Sequence, residues 1–410
     1  MSSPAFLLVA LALASGDSSA SSGSLELEAY GEMVYSNFDH GPDQTATPAG
    51  SEEDRRATVD LPRLVLGLEW ELVDGLEIEA ELEVEHGGTG SAIELEYEEF
   101  GEYEVEIEKA GEVVLEELHV TKTFSDALRL RVGHLIVPVG LLNRAHRPHQ
   151  YFSAIRSEGE AALIPAVWHE TGLMLLGESG DWGYRVALIN GLDSTGFSSK
   201  FWIRGGHQTR FEETRATDLA AAFCLDWEPT GGLEVGVSAY GGNTTGNRPK
   251  PDMEGEQAYL GILEGHLTYA RDGWLLRTMV LGSWLENSAR VSGANRLLSA
   301  NLEVPRTPVA SRASQWSVEL GYDLWAQDET SGLSPFVRME RYDSMAATAE
   351  GVFPVPRFDR RVMSVGMQWI PRQELVVTAD WSRRTFGNEV LRPEQTARLA
   401  LGFLVDAVLD

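Results

Sequence analysis

Leu76-Glu-Ile-Glu-Ala-Glu-Leu-Glu-Val-Glu85 alternates strictly, with Leu76, Ile78, Ala80, Leu82 and Val84 on one face and five glutamates on the other. Period two is a strand signature, and about ten residues is what a tilted strand needs to cross a bilayer. A soluble amphipathic sheet can hold one such strand, so the fold turns on whether the pattern recurs. It does. Trp316, Val318, Leu320, Tyr322 and Leu324 alternate with Ser317, Glu319, Gly321 and Asp323, and Leu375, Val377, Ala379 and Trp381 alternate with Val376, Thr378, Asp380 and Ser382. Further stripes are Leu64/Leu66/Leu68/Trp70, Leu233/Val235/Val237/Ala239, Met363/Val365/Met367/Trp369 and Leu399/Leu401/Phe403/Val405. No helix-period segment of comparable strength competes.

The pattern predicts an all-β fold, a transmembrane antiparallel β-barrel of about sixteen strands. They fall near 25–35, 61–72, 75–86, 113–124, 127–137, 168–178, 181–192, 216–228, 232–242, 257–271, 274–286, 313–327, 334–343, 360–371, 374–386 and 396–407. Tight turns such as Val73-Asp-Gly75, Ser179-Gly-Asp181 and Asp272-Gly273 alternate with long polar loops such as 37–54 and 241–251. Short periplasmic turns and longer outer loops give that rhythm. Trp70, Trp182, Trp227, Trp274, Trp284, Trp325 and Trp369 sit near strand ends, where two interfacial girdles are expected.

Composition agrees. The chain has 410 residues, and past its start no apolar run is long enough for a spanning helix. A formal charge of −30 argues against a nucleic-acid partner, because phosphate binding needs concentrated Lys and Arg. A single cysteine, Cys224, excludes an intramolecular disulfide, and no Cys-His spacing suggests zinc; no cofactor or metal is assigned. Residues 1–20 read as a signal peptide, with an apolar core Ala5–Ala14 and cleavage near 14 or 20, although no Lys or Arg precedes that core. The expected location is the outer membrane of a Gram-negative-type cell, with 21–410 forming the barrel.

A sheet in lipid must close, because an edge would leave backbone polar groups unpaired in hydrocarbon. At about sixteen strands the interior is too wide for side chains to fill, and holds water unless loops or a plug occupy it. The inward faces read as polar and charge-segregated. Glu69, Glu71, Glu77, Glu79, Glu81, Glu83 and Glu85 form an acidic wall, while Arg129, Arg131, Arg185, Arg277, Arg338 and Arg398 form basic stripes expected to lie opposite it.

One stretch departs from the rhythm: Arg131-Val-Gly-His-Leu-Ile-Val-Pro-Val-Gly140, then Asn143-Arg-Ala-His146-Arg-Pro148, then Ile164-Pro165-Ala-Val-Trp168-His-Glu170-Thr-Gly172. Pro138, Gly140 and Pro148 break the strand. Arg144, His146, Arg147, His149 and Arg156 supply a basic cluster, followed by Glu158 and Glu160. This stretch resembles the phosphate-selective porin (porin O and P) family and related Gram-negative outer-membrane porins, over about forty residues locally and over most of the chain in strand rhythm. The resemblance implies a sixteen-stranded barrel, commonly trimeric, with an inward-folded constriction loop at 138–167. Arg129, Arg131, Arg144, His146, Arg147, Arg156, Glu158 and Glu160 would line that constriction. The family's phosphate selectivity is not carried over, because the segment has no lysine cluster and its neighbouring wall is acidic.

The function expected is passive diffusion of ions and small hydrophilic solutes, with outer-membrane lipids, those ions and solutes, and further copies of the chain as partners. The alternative is a non-conducting structural or adhesive barrel. An outer-membrane hydrolase would need a nucleophile and a base, but the sequence holds neither a Gly-x-Ser-x-Gly elbow nor a His-Glu-x-x-His pair, so no enzyme is expected.

Overall fold

Sixteen antiparallel strands close on themselves in the computed structural model, which describes residues 23–42, 53–88, 94–99, 102–106, 111–208, 214–253, 255–298, 306–326 and 330–409. The signal-peptide expectation for 1–20 lies outside the described residues. The barrel strands are β1 (Leu25–Asp39), β2 (Ala57–Val73), β3 (Leu76–Glu85), β4 (Glu112–Ser125), β5 (Leu128–Ile136), β6 (His169–Ser179), β7 (Trp182–Asn190) and β8 (Leu219–Thr230). They continue as β9 (Leu233–Asn243), β10 (Tyr259–Arg271), β11 (Trp274–Leu285), β12 (Arg312–Tyr322), β13 (Gly332–Ala347), β14 (Asp359–Arg372), β15 (Leu375–Phe386) and β16 (Glu394–Leu409). Each pairs with its chain neighbour, and β1 also pairs with β16, from Leu25 opposite Leu409 to Asp39 opposite Gln395, so no edge remains. Two short ribbons, Gly41–Pro42 with Glu53–Asp54 and Glu94–Glu99 with Glu102–Glu106, lie in the long loops.

All sixteen expected strands are present. Four boundaries move by four or five residues: β1 runs on to Asp39, β2 begins at Ala57, the strand expected at 313–327 ends at Tyr322, and β13 runs on to Ala347. Tight turns close one end of the barrel. At Asp272-Gly273 both residues have positive φ (52° and 83°), the primed geometry whose twist matches a two-residue hairpin.

The expected apolar stripes face outward. Leu66, Leu82, Val237, Trp316, Met363, Leu375 and Leu401 are each more than a third exposed although their strands are fully paired. Such a belt around a whole barrel suits lipid and not water. Six of the seven expected tryptophans, Trp70, Trp182, Trp227, Trp274, Trp325 and Trp369, are exposed near the turn end, while Trp284 is exposed at the loop end with Tyr35 and Tyr259.

The interior departs from the sequence reading in one respect. Toward the loop end, the inward positions of β6–β12 are apolar: Met174, Ile189, Ala222, Leu260, Ile262, Met279 and Leu281 are buried in one cluster with Trp168, Phe197, Trp202, Ile203, Val291 and Val309 from the long loops. The expectation of uniformly polar inward faces therefore fails there. The loops over that half fold inward and exclude water, so apolar side chains gain by facing the axis.

Candidate functional site

The segment 137–168 folds into the barrel, and the residues flagged by the sequence supply its fastenings. Val137 N–H donates to Trp168 O at 2.8 Å, closing the base. Asn143 ties both arms: its amide donates to Val139 O (2.6 Å) and its Oδ1 accepts from Trp168 N–H (2.8 Å). Gly140 adopts φ +88°, and a Cβ there would stand 2.2 Å from Glu160 Oε1, so glycine is what lets that carboxylate reach Leu142 N–H at 2.8 Å. Short helix α1 (Glu158–Leu163) follows, its N-terminus capped by Ser157. At re-entry, buried Glu170 accepts from Trp168 Nε1 (3.2 Å) and Asn190 Nδ2 (2.5 Å).

From this base the segment reaches walls on several sides. Arg144 meets Asp226 on β8 at 2.9 Å and makes a short contact with Glu234 on β9. Arg147 pairs with Glu28 on β1 at 2.5 Å, and Tyr151 donates to Glu32 at 2.7 Å. Ala154 N–H donates to Asp380 on β15, Gly159 N–H to Glu340 on β13, and Gln368 on β14 donates to Tyr151 O, all within 2.7–2.9 Å.

The expected constriction residues divide accordingly. Arg144 and Arg147 lie on the crossing segment, each held by carboxylates. Arg156 is there too, its Nη1 buried and without a hydrogen-bond partner among the described residues. His146 is buried on the segment, and burial, reinforced by the charges of Arg63, Arg156 and Arg147, pushes its imidazole well below the usual range. Glu158 and Glu160 are fastenings of the segment. Burial would raise Glu158, but Arg384 (2.7 Å) and the Tyr342 hydroxyl more than offset this and hold it at about 2. Burial instead pushes Glu160 up to about 8. Arg129 and Arg131 are on β5, outside the crossing segment, with Arg129 3.2 Å from Glu178 and Arg131 3.4 Å from Glu79.

The acidic wall is where the alternation puts it, with Glu69 opposite Glu79 and Glu71 opposite Glu77 across β2 and β3. Glu81 and Glu83 are buried, and Glu85 is opposite Arg63. The expected opposition of acidic and basic walls is corrected in part: Arg129 and Arg131 stand only two strands from β3, close enough for Arg131 to reach Glu79.

Sequence reading missed Arg63, Glu116 and Glu117. Arg63 is 1% exposed, 2.7 Å from Glu83 and 3.1 Å from Glu116. A register shift in the β3–β4 pairing turns two successive residues, Glu116 and Glu117, into the interior. Its signal is legible afterwards: apolar residues run Val113, Leu115, then Leu118, Val120, so the alternation slips by one. Asp226 and His266, 3.2 Å apart, were likewise not foreseen as a pair.

Polar clefts remain beside the crossing segment. One of about 550 Å³ is lined by Arg129, Arg131, Arg144, Arg185, Glu117 and Glu234 among others. Another of about 290 Å³ is lined by Glu26, Glu28, Glu69, Glu79, Glu81 and Arg147 among others.

No family model matches the chain. A protein of unassigned function from Aquifex aeolicus (strain VF5) is 24% identical over 361 residues, 87% of this chain and 75% of that protein. Among solved structures, the high-pH form of Pseudomonas putida OprB superposes with TM-score 0.57 at 10% identity, covering 94% of each chain. The anion-selective porin from Comamonas acidovorans gives 0.55 at 8% identity, over 93% of this chain and 100% of that one. In-vitro folded OmpT, an outer membrane protein of Vibrio cholerae in its trimer form, gives 0.53 at 10% identity, over 94% and 100%. Likeness at these identities is one of fold, and it carries the general porin architecture without the phosphate-selective branch. The chain has the fold of outer-membrane porins, a closed sixteen-stranded barrel with an apolar belt on its outer face.

Proposed function

We propose that the chain is a porin passing ions and small hydrophilic solutes by passive diffusion, with 137–168 as its constriction. One observation carries the reading: a segment fastened to opposite walls narrows a sixteen-stranded barrel yet leaves charged clefts on its two flanks. A loop present only to fill the barrel has no need of such clefts. The cleft along β1–β3 has Glu26, Glu28, Glu69, Glu79 and Glu81 facing one guanidinium, Arg147, which favours cations; the larger cleft carries both signs. No catalytic residue or cofactor enters this reading, assembly as a trimer is part of it, and 1–20 is the proposed export signal.

The second reading, a non-conducting structural barrel, is favoured by the apolar cluster inside the loop-end half. Planar-bilayer recording of the refolded protein separates the two. Stepwise conductance with a cation-selective reversal potential is expected; verified insertion without conductance would establish the structural barrel.

A further inference from the structure

His119 is an anomaly on the inward wall. It is 2% exposed, and neither ring nitrogen makes an aligned hydrogen bond to any described residue. Nε2 nevertheless lies 3.2 Å from Glu79 Oε2 and 3.5 Å from Glu117 Oε1. An unpaired buried imidazole is costly, and here it points at two carboxylate oxygens without bonding properly to either.

Those separations have a geometric meaning. Two ligand atoms each roughly 2.0–2.1 Å from one ion, at bond angles between about 90° and 109°, stand roughly 2.9–3.4 Å apart. The separation to Glu79 falls within that span and the one to Glu117 just beyond it, and all three donor atoms lie within 4.8 Å of one another. We propose that Glu79, Glu117 and His119 form a binding site for a divalent transition metal of the zinc type on the inward wall of β3 and β4. One imidazole nitrogen with two carboxylate oxygens is a borderline donor set that suits zinc and its neighbours better than calcium or magnesium.

The surroundings support it. Glu117 is oriented by Ile136 N–H at 3.2 Å, an outer bond of the kind that fixes a ligating carboxylate. Gly133, opposite His119, leaves it room: a Cβ there would stand 2.9 Å from the His119 Cβ. Glu79 is 24% exposed and borders the β1–β3 cleft, giving an ion a way in. Arg131 is the only cation within ion-pair distance of these carboxylates among the described residues, at 3.4 and 3.8 Å, so one positive charge faces two negative ones. The analogous group of Asp226, Glu234 and His266 differs, because Arg144 Nη1 already stands 2.9 Å from Asp226 and 2.7 Å from His266 Nε2.

The test is calorimetric titration of refolded, tag-free protein in detergent with zinc chloride, repeated with cobalt(II) while recording visible absorption. One strong site per chain is expected. His119→Ala and Glu79→Gln should each weaken it at least tenfold and remove the cobalt absorption bands, while Glu256→Gln, at an exposed loop carboxylate, should not. Stoichiometric binding that survives both site variants, or none in the parent protein, overturns the proposal. Glu79→Gln is isosteric and keeps the test decisive if His119→Ala fails to refold. The readout is binding, so it stands apart from whether the barrel conducts.

Discussion

Arg63 shows how far a single side chain departs from what its neighbours in sequence suggest. It sits on β2, one residue after Pro62, yet its guanidinium lies between Glu83 and Glu116 and also bonds Tyr30 and the carbonyl of His146. It thereby joins the acidic wall to the crossing segment. Removing one partner of a buried ion pair costs more than the pair contributes, since the remaining charge stays desolvated. Arg63→Met is therefore expected to destabilise the barrel by about 3–5 kcal/mol. Urea unfolding in lipid vesicles measures this, and a loss within experimental scatter would mean that water reaches these carboxylates. Periodicity showed that Arg63 lay on a strand but not that its partners were brought in by β3, β4 and a loop some eighty residues away.

At the scale of an element, the crossing segment holds its shape through carboxylates in opposite protonation states. Glu158 is held ionised by Arg384, while Glu160, tucked against Gly140 and the Leu142 amide, is raised to about 8 by burial. A folded-state pKa above the unfolded value contributes stability that is full below the unfolded pKa and lost as pH rises through the folded one. For Glu160 that window runs from about 4.5 to about 8. The thermal midpoints of the parent and Glu160→Gln are thus expected to agree near pH 5, with the variant the more stable above pH 9. Parallel midpoints across that range would show that the carboxyl is not buried as described. The proline and glycine positions announced where the strand stops. The direction taken by the loop was not legible, because it depends on Asn143, Glu160 and Glu170 meeting partners on both arms.

For the whole molecule, the expected property is selectivity set by fixed charge. Replacing Arg144, Arg147 and Arg156 together removes three positive charges from the crossing segment and should lower the anion-to-cation permeability ratio. Replacing Glu77, Glu79 and Glu81 by Gln should move the ratio the other way, measured with a chelator present so that bound metal plays no part. Reversal potentials in a salt gradient read both. An unchanged potential in the first variant would remove the crossing segment from the conduction path, and an unchanged potential in the second would remove the β1–β3 cleft.

The closed barrel, its sixteen strands, its outward faces and its turn-end girdle were all determined by the sequence alone, because alternation and turn chemistry are local and lipid demands closure. The path of 137–168, the inward turn of Glu116 and Glu117, the apolar filling of the loop-end half and the meeting of Glu79, Glu117 and His119 were decided only by the tertiary structure. These depend on which strands become neighbours and on how the long loops fold back. A period-two pattern says which side of the sheet a residue faces, and nothing about what it meets there.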